Sequence, residues 1–276
     1  MSETSKIKIV SFNVNSIKAR LPNVLSWLKE SNPDIVLLQE LKCVEEKFPF
    51  EELLDAGYNA AVNGQKTYNG VAILSKFPFD EVIKDLPNNP DPQARYIEAV
   101  IPVENEVLRV SSIYIPNGGG PLQEGEKLID SEKFKYKMDF YDKLNAHCKE
   151  LLTYDEIQIF GGDYNVAIDD IDVYDPISLK NTVCFHDAEK QKFRELINLG
   201  LDDSFRKFSG DDVQSFSWWD YRGGSWQNNK GMRIDYLLTS PQASDRVVGT
   251  NIEDAGVRDK EKASDHCPVI VEIEVK

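Results

Sequence analysis

Two short stretches carry residue types suited to phosphate-ester chemistry. Near the C-terminal end, Ser264-Asp265-His266-Cys267-Pro268 runs straight into the apolar Val269-Ile270-Val271. Well upstream, Ile159-Phe160-Gly161-Gly162 opens onto Asp163-Tyr164-Asn165, an apolar run ending in a carboxylate and an amide. Strand ends are where folds place chemistry, because a rigid sheet holds the side chains and a loop gives access. Asp-His at one end and Asp-x-Asn at another point to phosphate esters rather than to packing.

Other apolar runs end in the same way. Asn13 follows 9–12, Glu40 follows 35–38, Tyr114 and Asn117 follow 110–113, and Asp235 opens the run at 234–238. Several carboxylates at one edge repel each other unless a hard cation sits among them. Oxygen donors with few histidines favour Mg2+ or Mn2+ over Zn2+.

Elements must hold these ends together. Period-2 or continuously apolar segments at 7–12, 35–38, 70–74, 95–101, 108–115, 157–160, 234–238 and 269–273 predict strands. Leu21, Val24, Leu25 and Leu28 share a helical face, with Pro22 near its start and Asn32-Pro33 at its stop. Phe134, Met138, Tyr141, Leu144, Cys148 and Leu151 follow steps of four and three, an amphipathic helix. Phe193, Leu196 and Ile197 mark another, closed by Gly200. Alternation of strands and helices without a linker predicts one layered α/β domain over 1–276, with 1–6 flexible. A faint two-fold likeness links the strand end at Phe12-Asn13 to that at Asp163-Tyr164-Asn165.

The remaining features narrow the class. No apolar run reaches the roughly 18 residues of a membrane span, and the polar start carries no apolar signal core. A monomer in the cytoplasm is expected. The four cysteines, Cys43, Cys148, Cys184 and Cys267, are scattered, so buried thiols are expected, with Cys43 the one to watch for reactivity. His147 falls on the polar side of the long helix and His186 just before another; both are read as structural or solvent-facing. Gly118-Gly119-Gly120 lacks a following Gly-Lys-Ser/Thr and reads as a turn. A net charge of -15 is not the usual footprint of a nucleic-acid binder, so any polyanion must meet a local basic face or a metal.

Taken in order, the motifs resemble one family. They are Ser11-Phe12-Asn13-Val14-Asn15, Leu38-Gln39-Glu40-Leu41-Lys42, Tyr68-Asn69-Gly70, Tyr114-Ile115-Pro116-Asn117-Gly118, Gly161-Gly162-Asp163-Tyr164-Asn165, Asp170 through Pro176, Trp218-Trp219-Asp220-Tyr221-Arg222, Arg233-Ile234-Asp235-Tyr236 and Ser264-Asp265-His266-Cys267-Pro268. The chain resembles the exonuclease III / apurinic-apyrimidinic endonuclease family of the DNase I-like superfamily over residues 8–272. The resemblance implies a four-layer α/β sandwich, two facing mixed β-sheets flanked by helices, with the site at one edge.

It also implies roles. Glu40 matches the principal metal ligand, with Asn13 and Asp265 beside the ion. Asp163 matches the residue that orients or deprotonates the attacking water, and Asn165 holds the phosphate or that water. His266 bonds a phosphate oxygen while Asp235 fixes its tautomer. Tyr114 and Asn117 contact the scissile phosphate. Trp218, Met232 and Ile234 match a small apolar pocket for an extruded abasic sugar, and Arg222 matches a contact to the duplex. The implied activity is Mg2+-dependent DNA repair (Mn2+ substituting) on duplex DNA with abasic or 3'-blocked sites, leaving a 3'-hydroxyl and a 5'-deoxyribose phosphate. Exonuclease and 3'-phosphatase activities belong to the same expectation. Two alternatives stand beside it: a phospholipid or inositol-phosphate phosphodiesterase, and a non-catalytic DNA-binding protein.

Overall fold

The computed structural model describes residues 5–254 and 256–276. Its strands are β1 (Ser5–Asn13), β2 (Ile35–Gln39), β3 (Asn59–Asn63), β4 (Val71–Ser75), β5 (Glu81–Lys84), β6 (Tyr96–Val103), β7 (Glu106–Tyr114), β8 (Ile157–Asp163), β9 (Asp202–Asp203), β10 (Trp218–Trp219), β11 (Gly231–Met232), β12 (Asp235–Thr239), β13 (Val247–Ile252) and β14 (Val269–Val275). The α-helices are α1 (Ile17–Ser31), α2 (Phe50–Asp55), α3 (Glu132–Leu151), α4 (Asp187–Ile197), α5 (Ser204–Ser209) and α6 (Pro241–Ser244).

Two six-stranded sheets form, in the orders β13-β14-β1-β2-β4-β3 and β5-β6-β7-β8-β12-β9. Alternation decides which way each side chain faces. Ile9, Ile35 and Leu37 point between the sheets and pack with Val110, Ile159 and Leu237. Val10, Val36 and Leu38 point outward under Val24, Trp27 and Leu28 of α1. On the far side, Phe160 and Tyr236 meet Tyr141 and Leu144 of α3 and Phe193 of α4. The result is the four-layer sandwich of the DNase I-like fold.

Each sheet contains a parallel pair, β1 with β2 and β7 with β8. The sequence likeness between the ends of β1 and β8 therefore falls on corresponding strands of the two halves. Gly161 lets those halves close, and Gly162 lets β8 lie against β7. A Cβ on Gly161 would sit 2.4 Å from Leu37 Cδ1, and one on Gly162 2.1 Å from the Ile113 carbonyl oxygen.

Several expectations change. Of the stretch 1–6 expected to be flexible, 1–4 lie outside the described residues, while Ser5 and Lys6 pair with Val275 and Glu274. Pro22 lies inside α1, which begins five residues earlier at a cap made by Ser16. His147 is buried, not on a polar face. It lies three residues beyond Leu144 on the inward stripe, where Glu98 of β6 receives its Nε2 at 2.9 Å. His186 caps α4 by accepting from the Ala188 N–H. All four cysteines are buried and free, and burial raises the Cys43 thiol pKa, against reactivity. Among the described residues, no helix is long and apolar enough to cross a membrane.

Candidate active site

The site grows from a row across the second sheet. In register, Tyr114 of β7 faces Asp163 of β8, and Asp163 faces Asp235 of β12. The first sheet brings Asn13 and Gln39 side by side, so Glu40 follows at the same edge. Glu40 itself is turned by a left-handed backbone, φ 53°, as are Asn15 at 44°, Lys42 at 54° and Asn165 at 50°. Such conformations cost free energy for residues other than glycine and persist where the surroundings over-determine them.

Hydrogen bonds tie the two edges together. Asn13 Nδ2 donates to Glu40 Oε1 at 3.0 Å and to Asp163 Oδ2 at 2.9 Å. The Asn13 oxygen is occupied by the Asn15 N–H, so the amide offers the carboxylates its donor side. Tyr114 donates its hydroxyl to Glu40 Oε1 at 2.9 Å. Burial, with Glu40 and Asp163 nearby, pushes that phenol well above its ordinary value, so it remains a donor. Asn117 Nδ2 donates to Asn165 Oδ1 at 3.0 Å, and the Asn165 backbone N–H donates to Asp163 Oδ1 at 2.9 Å.

His266 is held between carboxylates. Its Nδ1 lies 2.9 Å from Asp235 Oδ2, and its Nε2 faces Asp163 Oδ2 at 3.7 Å. Ser217 fixes the same Asp235 oxygen by donating at 2.6 Å. Burial disfavours the charged imidazole, but Asp235, Asp163 and Asp265 outweigh it and raise its pKa to about 10. Burial also lifts Asp163, to about 7; His266 opposes that rise while Asp235 and Glu40 add to it. The pair can hold one donor and one acceptor of protons at the sheet edge.

A hard divalent cation fits this set. Ligand atoms of Glu40, Asp163 and His266 lie within 4.8 Å of one another. A cation already rests there: Lys42 Nζ sits 2.8 Å from Glu40 Oε2 and 2.5 Å from Asn15 Oδ1. Burial works against the Glu40 charge, but Lys42 and Asn13 hold its pKa below the ordinary value. Asp265 stands apart from this group, with Asn15 Nδ2 on one oxygen at 2.8 Å and Trp218 Nε1 on the other at 3.1 Å.

The apolar residues also converge. Met232 and Ile234 pack with Ala167, Val173, Cys184 and Phe185, and Trp218 covers them in part. Buried Arg233 pairs with Asp172 and so fixes the turn that brings Val173 against Met232. Arg222 does not join them. Its side chain is 91% exposed and pairs with its neighbour Asp220. Sequence reasoning gave no role to Asn15, Lys42, Ser217 or Tyr221. Asn15, Lys42 and Tyr221 lay inside recognised motifs, but nothing in their spacing showed that Asn15 and Lys42 partner the carboxylates or that the Tyr221 hydroxyl accepts from Asn15.

The chain is similar to known proteins along nearly its whole length. The Endonuclease/Exonuclease/phosphatase family model matches residues 10–266. Exodeoxyribonuclease III of Haemophilus influenzae is 32% identical, across 96% of this chain and 99% of that protein. A 3' phosphatase from Neisseria, solved with a product DNA hairpin, superposes with a TM-score of 0.87 at 36% identity, covering 97% of this chain and 99% of that one. An AP endonuclease from Archaeoglobus fulgidus gives 0.87 at 35% identity, covering 98% and 100%.

Proposed function

Because the chain belongs to the Endonuclease/Exonuclease/phosphatase family, in its exonuclease III / apurinic-apyrimidinic endonuclease branch, and is a DNA-repair nuclease, we propose that it cuts duplex DNA 5' to abasic sites with Mg2+. The products are a 3'-hydroxyl and a 5'-deoxyribose phosphate, and 3'-blocked ends are further substrates. One observation carries the reading. The Asp163–His266–Asp235 line is flanked by a packed apolar cluster: Ile234 precedes Asp235, Met232 pairs with Trp218, and Trp218 bridges to His266. Trp218, only partly buried, would present the apolar face of that cluster to a sugar without a base. Extrusion also costs least where the base is already missing.

Each side chain has a task. Asp163, with a pKa near the working range, takes the proton of the attacking water. Asp235 holds His266 Nδ1, leaving Nε2 to donate to a phosphate oxygen. Tyr114 and the Asn117 and Asn165 amides receive the remaining charge that builds on the phosphate. Glu40 would hold Mg2+ beside Asn13, and Asp265 would act on the ion from further out, through Asn15. The ion would supply charge neutralisation on the phosphate and the leaving oxygen. Arg222, on the exposed rim, would contact the duplex.

The test is a duplex carrying one abasic site, incubated with Mg2+ or with chelator and followed by analysis of both new ends. A single cut 5' to the site with Mg2+, and none with chelator, is expected. Ends of any other kind, or cutting that survives chelation, would sink the reading.

A further inference from the structure

Lys137 of α3 and Glu189 of α4 form an ion pair in which both side chains are 0% exposed. Burying two charges is costly, and apolar residues of similar volume often serve stability as well. The partners of this pair show what it does instead. Lys137 Nζ donates to Glu189 Oε1 at 2.5 Å, to the Asn165 carbonyl at 2.6 Å and to the Asn117 carbonyl at 3.1 Å. All three of its donors are used. The two carbonyls belong to residues whose side-chain amides bond each other, and the Asn165 N–H in turn bonds Asp163.

Glu189 grips the neighbouring loop. It accepts from the Cys184 N–H at 3.2 Å and from the His186 N–H at 2.9 Å. The Cys184 sulfur then lies 3.5 Å from Asn117 Nδ2 and 3.7 Å from Asn165 Oδ1. Asn165, Cys184 and Gly118 all have left-handed backbones, φ 50°, 66° and 82°. Two of these are not glycine and need outside support to stay there. The loop at Gly118 also rests on the Lys137 stem, since a Cβ there would lie 2.8 Å from Lys137 Cδ.

We propose that Lys137 is a positioning residue for catalysis: its buried ammonium, held by Glu189, clamps the carbonyls of Asn117 and Asn165 and so fixes their amides against the phosphate. The inference rests on reading this edge as the phosphodiesterase site. Because Glu189 compensates the charge at contact distance, the effect is geometric rather than a long-range pull on DNA. Amides fixed before substrate arrives need no reorganisation during reaction.

The test is Lys137→Met/Glu189→Gln, which removes the charges but leaves a glutamine to cap Cys184 and His186. On a duplex that the wild type cuts, kcat is expected to fall about tenfold to a hundredfold, the scale of a small misplacement. KM and the salt dependence of binding should stay near wild type. Lys137→Arg, which retains a cation and its donors, should recover most of the loss. Should the double variant fail to fold, Lys137→Gln/Glu189→Gln is read in the same way. A folded variant with wild-type kcat, or a loss confined to KM, overturns the proposal. Wild-type turnover on the same duplex keeps this outcome separate from any failure of the functional reading itself.

Discussion

Asn13 Nδ2 bonds Asp163 Oδ2 at 2.9 Å across the seam between the two sheets, and the same nitrogen bonds Glu40 Oε1. One buried amide thus holds apart two carboxylates that would otherwise face each other. Asn13→Ala removes both charge-assisted bonds at once and should destabilise the chelated protein by about 3 kcal/mol. Denaturant midpoints in chelator measure it. A loss under about 0.5 kcal/mol, the range of an ordinary surface substitution, would show that the amide does not bridge them.

Metal binding should stabilise the protein in a pH-dependent way. Asp163 has its pKa raised to about 7, so above that pH it is ionised beside Glu40 and Asp235. Protonation relieves the repulsion below pH 7, and a cation relieves it above. The rise in Tm on adding Mg2+ should therefore be larger at pH 8 than at pH 5.5. In Glu40→Ala the rise should nearly vanish, together with cleavage at ordinary Mg2+. An equal shift at both pH values would contradict the assignment.

Asp235 should set the basic limb of activity. His266 has a folded pKa of about 10, above its ordinary value. Its charged form therefore contributes stability fully below pH 6.5, and that contribution is lost as pH rises through about 10. Asp235→Asn removes a carboxylate that holds the proton on. The alkaline fall in kcat/KM should move down by more than about one pH unit. An unmoved limb would separate His266 from Asp235.

Arg222 should act on binding alone. It is exposed and pairs only with Asp220, two residues earlier, among the ion pairs described, so Arg222→Ala should leave stability within about 0.5 kcal/mol. If it meets a phosphate, DNA affinity falls and the log-log salt slope drops by about one unit. Unchanged affinity and slope would remove it from the interface of this acidic protein.

The site was legible because its residues close strongly apolar strands. Asn13, Glu40, Tyr114, Asp163 and Asp235 each follow or open a run that alternation or continuous burial makes plain. Strands of low contrast were not legible. Glu81–Lys84 and Val247–Ile252 lie at sheet edges, carry few buried side chains and show no clean pattern. The left-handed turns were half legible. Asn15 and Asn165 are of a type that tolerates φ > 0, whereas Glu40 and Lys42 adopt it only because neighbouring strands force it. His147 misled for another reason. A polar residue on an inward helical stripe reads as surface until its buried partner, here Glu98, is seen. Such partners lie far away in sequence, and no local pattern announces them.

Asp163 is the group proposed to take the proton of the attacking water. Asp163→Asn keeps the shape and the bond from Asn13 but removes the charge. Single-turnover cleavage of an abasic duplex, with DNA affinity measured alongside, tests it most directly. The rate should fall on the order of 10² to 10⁴ while affinity holds. A rate within about threefold of wild type would contradict a base at this position.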